Sequence, residues 1–137
     1  MRKNKYIRIF ISTLVMSLIM FMMTACSSDV ATNKITYEQI TAEQAKSIMD
    51  TETDYIILDT RTEEEFAEAH IENAILIPHY EIADRAEKEL PDKDKLILVY
   101  CRSGNRSKQA SKVLTELGYT NVKEFGGIID WPYEVEK

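Results

Sequence analysis

The residues best suited to chemistry follow directly after the apolar run Leu96 to Tyr100. They form the segment Cys101-Arg102-Ser103-Gly104-Asn105-Arg106, a short polar loop between a predicted strand and a helix predicted to begin near Ser107. The backbone N–H groups of such a loop and the start of the next helix can hold an anion, and the same field favours a thiolate over a thiol. Gly104 allows the tight curl of the chain. This spacing therefore predicts a nucleophilic cysteine beside an anion site.

Positive charge surrounds this cysteine in the sequence. Arg102 and Arg106 flank the loop, and we expect them to lower the pKa of Cys101 below the ordinary thiol value of roughly 8.5. Residues 95–115 contain no acid and five basic residues, which predicts a basic patch that attracts anionic substrates. Lys108 and Lys112 stand four residues apart, so these two are equally explained as a solvated helix face.

The N-terminal segment has the features of an export signal. Residues 2–8 hold four basic residues and no acid, and Ile9 to Met23 is a mostly apolar run that is short for the ~20 residues a membrane helix needs. Met23-Thr24-Ala25-Cys26 resembles a bacterial lipobox, which implies cleavage before Cys26 and acylation of that cysteine. An uncleaved or ordinarily cleaved signal is the alternative. We expect a signal peptide over 1–25, the lipidated Cys26 and a polar tether over 26–34, and one domain over 35–137.

Charge and cysteine content narrow the location and the partners. Cleavage before Cys26 removes four of the 17 Lys and Arg residues and leaves 23 acidic ones, a net charge of −10. Such an acidic body argues against a nucleic-acid partner. Acylation would hold the domain to the membrane outside the cytoplasm and would leave Cys101 as the sole thiol, reactive or merely buried. Two histidines and one thiol are too few for a metal centre, and we expect no cofactor.

Strands and helices alternate along the proposed domain. Two capping-box patterns, beginning at Thr41 and Thr62, predict helix starts. The other predicted helices cover 81–90 and run from near Ser107 to Gly118, and the predicted strands cover 55–58, 74–77, 96–100 and 122–125. This order predicts an α/β fold with a small, mostly parallel sheet of about five strands and helices on both faces. Ligands of such sheets gather at the carboxyl ends of the strands, which predicts one pocket formed by 59–61, 101–106 and Gly126-Gly127.

Several separated motifs together resemble a single-domain rhodanese, over nearly all of residues 35–137. They are Leu58-Asp59-Thr60-Arg61, Glu65-Phe66, His70-Ile71, Ala74 to Pro78, the Cys101 loop, and Gly126-Gly127 followed by Trp131. Ala69 departs from the glycine that the family usually has at that position.

The resemblance implies a sulfurtransferase. Cys101 would attack the outer sulfur of a small anionic donor such as thiosulfate or a polysulfide and carry a persulfide, which residues 102–106 would stabilise. A thiol or cyanide acceptor would then remove the sulfur in a second half-reaction. Asp59 and Arg61 resemble the structural pair of the family. His70 is expected to be a hydrogen-bonded turn residue, and Trp131 a core or pocket-wall residue.

Two other functions compete with this reading. Phosphatases of related fold place one residue more between cysteine and arginine than the four that separate Cys101 from Arg106, so the shorter loop favours a single sulfur. A non-catalytic module that senses persulfides or oxidants, or binds a partner, would have the same loop. The sequence leaves open the physiological donor and acceptor, the oligomeric state, and whether turnover or sensing is the biological role.

Overall fold

The computed structural model describes residues 36–137. The predicted signal peptide 1–25, the lipidation site Cys26, the tether 26–34 and the domain start at residue 35 lie outside these residues and stay predictions. Within the described part of the chain, no helix is long and apolar enough to cross a membrane.

Strands and helices alternate over the described residues and form a single parallel sheet. In chain order the elements are β1 (Glu38–Gln39), α1 (Ala42–Thr51), β2 (Tyr55–Asp59), α2 (Glu63–Glu68), β3 (Ile75–Leu76), α3 (Ile82–Glu89), β4 (Leu96–Cys101), α4 (Asn105–Glu116), β5 (Val122–Gly127) and a 3₁₀ turn (Ile128–Asp130). The strand order is β1-β5-β4-β2-β3, and every pairing is parallel. The predicted α/β fold with about five strands is confirmed.

The sheet separates two apolar cores, because successive side chains of a strand point to opposite faces. Leu58 and Val99 face a core that α3 and α4 cover, whereas Ile57 and Leu98 face a second core that α1 covers. Burial on both sides explains why β2 and β4 are continuous apolar runs rather than alternating ones. Trp131 belongs to the second core.

Both predicted capping boxes are present. The Thr41 hydroxyl accepts a hydrogen bond from the Gln44 N–H at 3.2 Å, and the Gln44 side chain accepts one from the Thr41 N–H at 2.9 Å. Thr62 and Glu65 form the same reciprocal pair at the start of α2. Each box satisfies two N–H groups that a helix start leaves without partners.

Several element ends differ from the prediction by one or two residues, and one strand was not predicted. The helix α4 begins at Asn105, two residues before Ser107, because Gly104 takes a left-handed conformation (φ 95°) and serves as its N-terminal cap. The strand β5 continues to Gly127, which pairs with Cys101 across the ladder. The two-residue strand β1 was not predicted, because its exposed polar residues carry no apolar pattern.

Candidate active site

Cys101 is the last residue of β4, at the carboxyl edge of the central strand. The residue is only 1% exposed. Its Sγ accepts a hydrogen bond from the Gly104 N–H at 3.0 Å, so the loop curls over the sulfur. Arg102, Ser103 and Asn105 lie exposed on the rim of this loop. The loop that follows Cys101 therefore surrounds one buried thiol.

The pKa of Cys101 is lowered from the ordinary thiol value. Burial raises this pKa, but hydrogen bonds to the sulfur from the Ser107 side chain and from the backbone of Ser107, Ser103 and Gly104 outweigh burial. The direction and the contribution of the loop N–H groups are those expected from the sequence, whereas the charge of Arg102 and Arg106, which was also expected to contribute, is not among the causes. Loop amides and a hydroxyl supply most of the stabilisation instead.

Close packing of two backbones holds the loop in place. A Cβ atom on Gly127 would lie 2.1 Å from the Arg102 carbonyl oxygen and 2.5 Å from the Ser103 Cα, so only glycine fits at this point of β5. Ile129 adds a backbone hydrogen bond of 3.2 Å to the same Arg102 oxygen. The Gly126-Gly127 motif thus lies against the cysteine loop, as the rule about strand ends predicts.

Arg106 does not point freely at the anion site. Its guanidinium forms a bidentate pair with the Glu65 carboxylate on α2, at 2.6 and 2.8 Å. This hydrogen bonding from Arg106 lowers the pKa of Glu65 to about 2. The sequence assigned Arg106 to substrate binding. In the structure both terminal nitrogens of the Arg106 guanidinium donate to Glu65, and this ion pair connects the start of α4 to α2.

The other parts of the predicted basic patch are also largely paired. Lys95 lies 2.5 Å from Asp54, and Lys112 lies 3.8 Å from Glu116. The predicted basic patch is therefore largely neutralised, by Asp54 and Glu65 from distant parts of the sequence and by Glu116 one helical turn after Lys112. Among the described residues, Arg102 and Lys108 are the two members without an ion pair.

Asp59 and Arg61 form a buried ion pair at the end of β2. The Arg61 Nη2 lies 2.7 Å from an Asp59 carboxylate oxygen and donates to the Ala69 carbonyl at 2.6 Å. The Arg61 guanidinium also stacks over the Tyr100 ring at 5.6 Å. Burial tends to lower the pKa of Arg61, but the contacts with Asp59 raise it overall. The pair joins β2 to the residue before His70 and to the strand that bears Cys101.

His70 lies in the turn after α2. Its Nδ1 is 3.0 Å from the Phe66 carbonyl oxygen, its Nε2 is 3.3 Å from the Glu136 carboxylate, and its ring stacks on Phe66. Among residues 36–137, no group of three His, Cys, Asp or Glu side chains is placed to hold a metal ion.

The prediction of one pocket is wrong. A cavity of about 760 Å³ lies between α1, β2 and the segments 71–73 and 131–134, away from the Cys101 loop. A smaller cavity of about 280 Å³ is lined by Arg61, Glu65, Ile129 and Trp131, among others. Sequence reasoning located the strand ends but had no information on how the C-terminal segment packs.

Three residues near the loop were not assigned roles from the sequence. Glu65 was recognised only as part of a capping box and a family motif, Ser107 only as the helix start, and Glu124 was not noticed. Glu124 is a carboxyl residue in a buried strand, 3% exposed, and accepts a hydrogen bond of 2.6 Å from the Ser107 hydroxyl. An acid within a buried strand is a signal that the sequence does contain, since buried carboxylates need partners.

The structure is an α/β domain with a five-stranded parallel sheet and a buried cysteine in a loop at its carboxyl edge. Comparisons with known proteins identify the family of this domain. The family model of the Rhodanese-like domain matches residues 41–132. The thiosulfate sulfurtransferase PspE of Escherichia coli is 40% identical over 73 residues, which cover 53% of this chain and 70% of that protein. A sulfurtransferase of Allochromatium vinosum is 41% identical over 88 residues, covering 64% of this chain and 79% of that protein.

A solved structure supports the same assignment. A rhodanese from E. coli, determined with anions, aligns with a TM-score of 0.57 and 36% identity over 61% of this chain and 98% of that one. The chain belongs to the family of rhodanese-like domains, and sulfur transfer is its function at the level of the family.

Proposed function

We propose that Cys101 carries a sulfane sulfur as a persulfide and transfers it from a small anionic donor, thiosulfate or a polysulfide, to a thiol or cyanide acceptor. The observation that carries this proposal is the Gly104 N–H at 3.0 Å from a buried Sγ, on a loop whose hydrogen bonds lower the pKa of the thiol. These groups favour the nucleophilic thiolate.

The reaction divides into two displacements at sulfur. In the first, the Cys101 thiolate attacks the outer sulfur of thiosulfate, a new S–S bond forms, and the donor S–S bond breaks so that sulfite leaves with the electron pair. In the second, the acceptor thiolate or cyanide attacks the outer sulfur of the persulfide, and the Cys101 thiolate leaves. Each step exchanges one bond to sulfur, so no external oxidant or reductant is required.

The loop has the donors that a persulfide anion needs. N–H groups that hydrogen-bond to the thiolate lie beside the sulfur, and the start of α4 adds a positive dipole end. Arg102 is exposed on the rim and has no ion pair among the described residues, which makes it the side chain best placed to attract an anionic donor. The related E. coli rhodanese structure was determined with anions, which supports anion binding by this chain.

The intact mass of the purified full-length chain tests the proposal. Cys26→Ser leaves Cys101 as the sole thiol. The intact mass is measured by mass spectrometry before and after incubation with thiosulfate and, separately, with a polysulfide. We expect a gain of one sulfur atom that cyanide or a thiol reverses, and no gain when Cys101→Ser is added. A persulfide that forms but passes to no acceptor would favour a sensing or binding module. No gain from either donor would refute sulfur transfer.

We also propose that the chain is a lipoprotein anchored to the membrane outside the cytoplasm. Support comes from the basic and apolar N-terminal segment and from the Thr24-Ala25-Cys26 sequence. Expression in a bacterial host followed by mass analysis of the mature N-terminus tests this. A diacylated Cys26 is the expected result, whereas an intact signal or cleavage elsewhere would contradict it.

A further inference from the structure

The C-terminal segment 128–136 exposes apolar side chains beside the active-site loop. Ile129, Tyr133 and Val135 are 63%, 38% and 37% exposed, and all three line the smaller cavity of about 280 Å³. Most large apolar side chains of the described domain are buried. Exposed apolar side chains that share one cavity mark a binding surface, whereas single scattered ones do not.

Backbone contacts hold this segment in place. Glu136 and His70 exchange two backbone hydrogen bonds of 2.8 and 2.9 Å. The Trp131 indole N–H donates to the Glu134 carbonyl oxygen at 3.3 Å, and the Tyr133 ring packs edge-on against the Trp131 ring with 4.9 Å between the centroids. The apolar surface is thus already formed, and a preformed surface loses little conformational entropy when a partner binds.

This surface is continuous with the larger cavity and with the Cys101 loop. Trp131 and Tyr133 line both the smaller cavity and the one of about 760 Å³, so the two cavities adjoin; together they are called the C-terminal groove. At the other end of the groove, the Ile129 N–H donates to the Arg102 carbonyl oxygen at 3.2 Å. A polypeptide bound in the groove would therefore pass beside the rim of the active-site loop.

The C-terminal groove is acidic. The two basic side chains among its lining residues, Lys46 and Arg61, form ion pairs with Asp50 and Asp59. Three further lining residues are acids that form no ion pair among the described residues: Glu68, Glu72 and Glu134. Complementarity of charge therefore favours a partner with basic as well as apolar side chains. It disfavours a second copy of this chain, whose groove has the same sign of charge and whose net charge is −6.

We propose that the C-terminal groove binds the sulfur acceptor, and that this acceptor is a polypeptide whose cysteine is flanked by basic and apolar residues. The inference rests on the proposed persulfide chemistry and names the class of acceptor. The acceptor thiol loses its proton to solvent, and its thiolate attacks the outer sulfur of the Cys101 persulfide. A new S–S bond forms on the acceptor, the bond between the outer sulfur and Cys101 breaks, and the Cys101 thiolate leaves with the electron pair. The exchange requires no oxidant or reductant.

Three synthetic peptides test the proposal on the full-length chain with Cys26→Ser. The basic apolar peptide has one central cysteine flanked by alternating leucine and lysine. The second peptide has glutamate in place of every lysine, and the third has serine in place of every leucine. Cys101 is loaded with sulfur from a polysulfide, excess donor is removed, and transfer to each peptide is followed by mass spectrometry. Each rate is divided by the rate of the same peptide with a small-molecule disulfide, which corrects for the reactivity of its thiol.

The expected result is a preference for the basic apolar peptide. At low peptide concentration it should accept sulfur about tenfold faster than either of the other two. Its advantage over the acidic peptide should shrink as the salt concentration rises, because exposed charges are screened. Equal corrected rates for the three peptides would overturn the proposal.

Val135→Ser tests whether the preference depends on the apolar part of the groove. Ile75→Ser is the matched control, because Ile75 is 38% exposed on the edge strand β3, against 37% for Val135, and lines neither cavity. We expect Val135→Ser to slow transfer to the basic apolar peptide about threefold and Ile75→Ser to leave it unchanged. Transfer to cyanide should be the same in both variants. Equal slowing by the two substitutions would contradict the proposal.

A double variant, Glu68→Gln with Glu134→Gln, tests the acidic part of the groove. The control, Glu87→Gln with Glu116→Gln, removes the same number of charges from α3 and α4, which cover the other face of the sheet. We expect the first variant to slow transfer to the basic apolar peptide about fivefold and the control to have no effect. The same loss in both would mean that net charge selects the peptide, and would refute the groove.

Direct binding separates the failure of this proposal from the failure of the proposed function. The basic apolar peptide is labelled with fluorescein and carries serine in place of its cysteine, so that binding, measured by fluorescence anisotropy, needs no persulfide. Binding that Val135→Ser weakens, in a protein that takes no sulfur from any donor, would support the groove as a surface for basic apolar polypeptides and refute sulfur transfer. Transfer to cyanide by a protein that does not bind the peptide would refute the groove and leave the proposed function standing.

Two controls complete the experiment. Circular dichroism verifies that each variant is folded, and the charge variant replaces Val135→Ser as the test of binding if the latter does not fold. Sedimentation equilibrium reports the oligomeric state of the parent protein. A dimer that dissociates in Val135→Ser would assign the groove to a second copy of this chain and would overturn the proposal.

Discussion

The ion pair between Glu65 and Arg106 couples helix α2 to the active-site loop, and Glu65→Gln tests what it contributes. Glutamine suits the third position of a capping box as well as glutamate does, and Gln44 occupies that position in the box of α1. The substitution therefore keeps the cap of α2 and removes only the charge that faces Arg106. The substitution thus breaks one ion pair between residues that lie 41 positions apart in the sequence.

The size of the effect follows from the pKa of Glu65. The hydrogen bond from Arg106 lowers it from the ordinary value of 4.5 to about 2. A shift of this size corresponds to an upper limit of roughly 3 kcal/mol at pH 7. Solvent reaches both side chains, which are 23% and 25% exposed, so we expect Glu65→Gln to lower the free energy of unfolding by about 1 to 2 kcal/mol.

The sign of the pH dependence is set by the direction of the shift. The folded protein has the lower pKa, so the stabilisation is fully present above the ordinary value of 4.5 and is lost as the pH falls towards about 2. The difference between the parent protein and Glu65→Gln should thus be largest near neutral pH and should disappear at about pH 2.

Urea unfolding followed by tryptophan fluorescence measures this difference, because Trp131 is the single tryptophan of the chain. Glu89→Gln is the matched control. It breaks an ion pair of the same length, 2.6 Å, with Arg85 on the surface of α3, and we expect a loss below about 0.5 kcal/mol. Equal destabilisation by Glu65→Gln at pH 7 and at pH 2, or none at pH 7, would refute the role of the ion pair.

Three further predictions concern the site and its support. Arg61→Met leaves the buried Asp59 carboxylate without a cation, with only the backbone N–H of residue 61 as donor, and should cost roughly 3 to 5 kcal/mol in urea unfolding; adding Asp59→Asn should recover most of that loss. Gly127→Ala places a Cβ 2.1 Å from a loop carbonyl oxygen and should abolish persulfide formation by mass, whereas Gly118→Ala, strained only by its φ of 93°, should leave it intact. The alkylation rate of Cys101 should fall with decreasing pH around a midpoint below that of an ordinary thiol, and a midpoint at or above the ordinary value would contradict the loop geometry.

Local sequence signals predicted most of the fold. The boxes at Thr41 and Thr62 located two helix starts, because capping depends on residues three apart in the chain. The apolar runs of β2 and β4 predicted buried parallel strands. The strand β1 escaped prediction because two exposed residues, Glu38 and Gln39, contain no periodic pattern. Its pairing with β5 depends on a tertiary contact between residues 85 positions apart.

The candidate site was predicted in its position and only partly in its electrostatics. The cysteine, its loop and Gly127 were expected together because parallel strands end at the same edge of the sheet. The acidic partners of the basic residues were not expected, because each lies 41 residues earlier in the sequence: Glu65 pairs with Arg106, and Asp54 pairs with Lys95. Net charge in a window of sequence therefore overstated the positive charge at the site.

Neutralisation of Arg106 changes what the loop can select. With the Arg106 guanidinium held by Glu65, most of the positive potential at the sulfur comes from N–H groups fixed in the backbone, which act only over short distances. Arg102 remains as the exposed charge on the rim. In the proposed reaction such an arrangement would separate two tasks: the exposed Arg102 side chain would attract the anionic donor, and the loop amides would hold the negative charge on the sulfur. It follows that substitution of Arg102 should weaken donor binding more than it changes the pKa of Cys101, whereas distortion of the Gly104 turn should do the reverse.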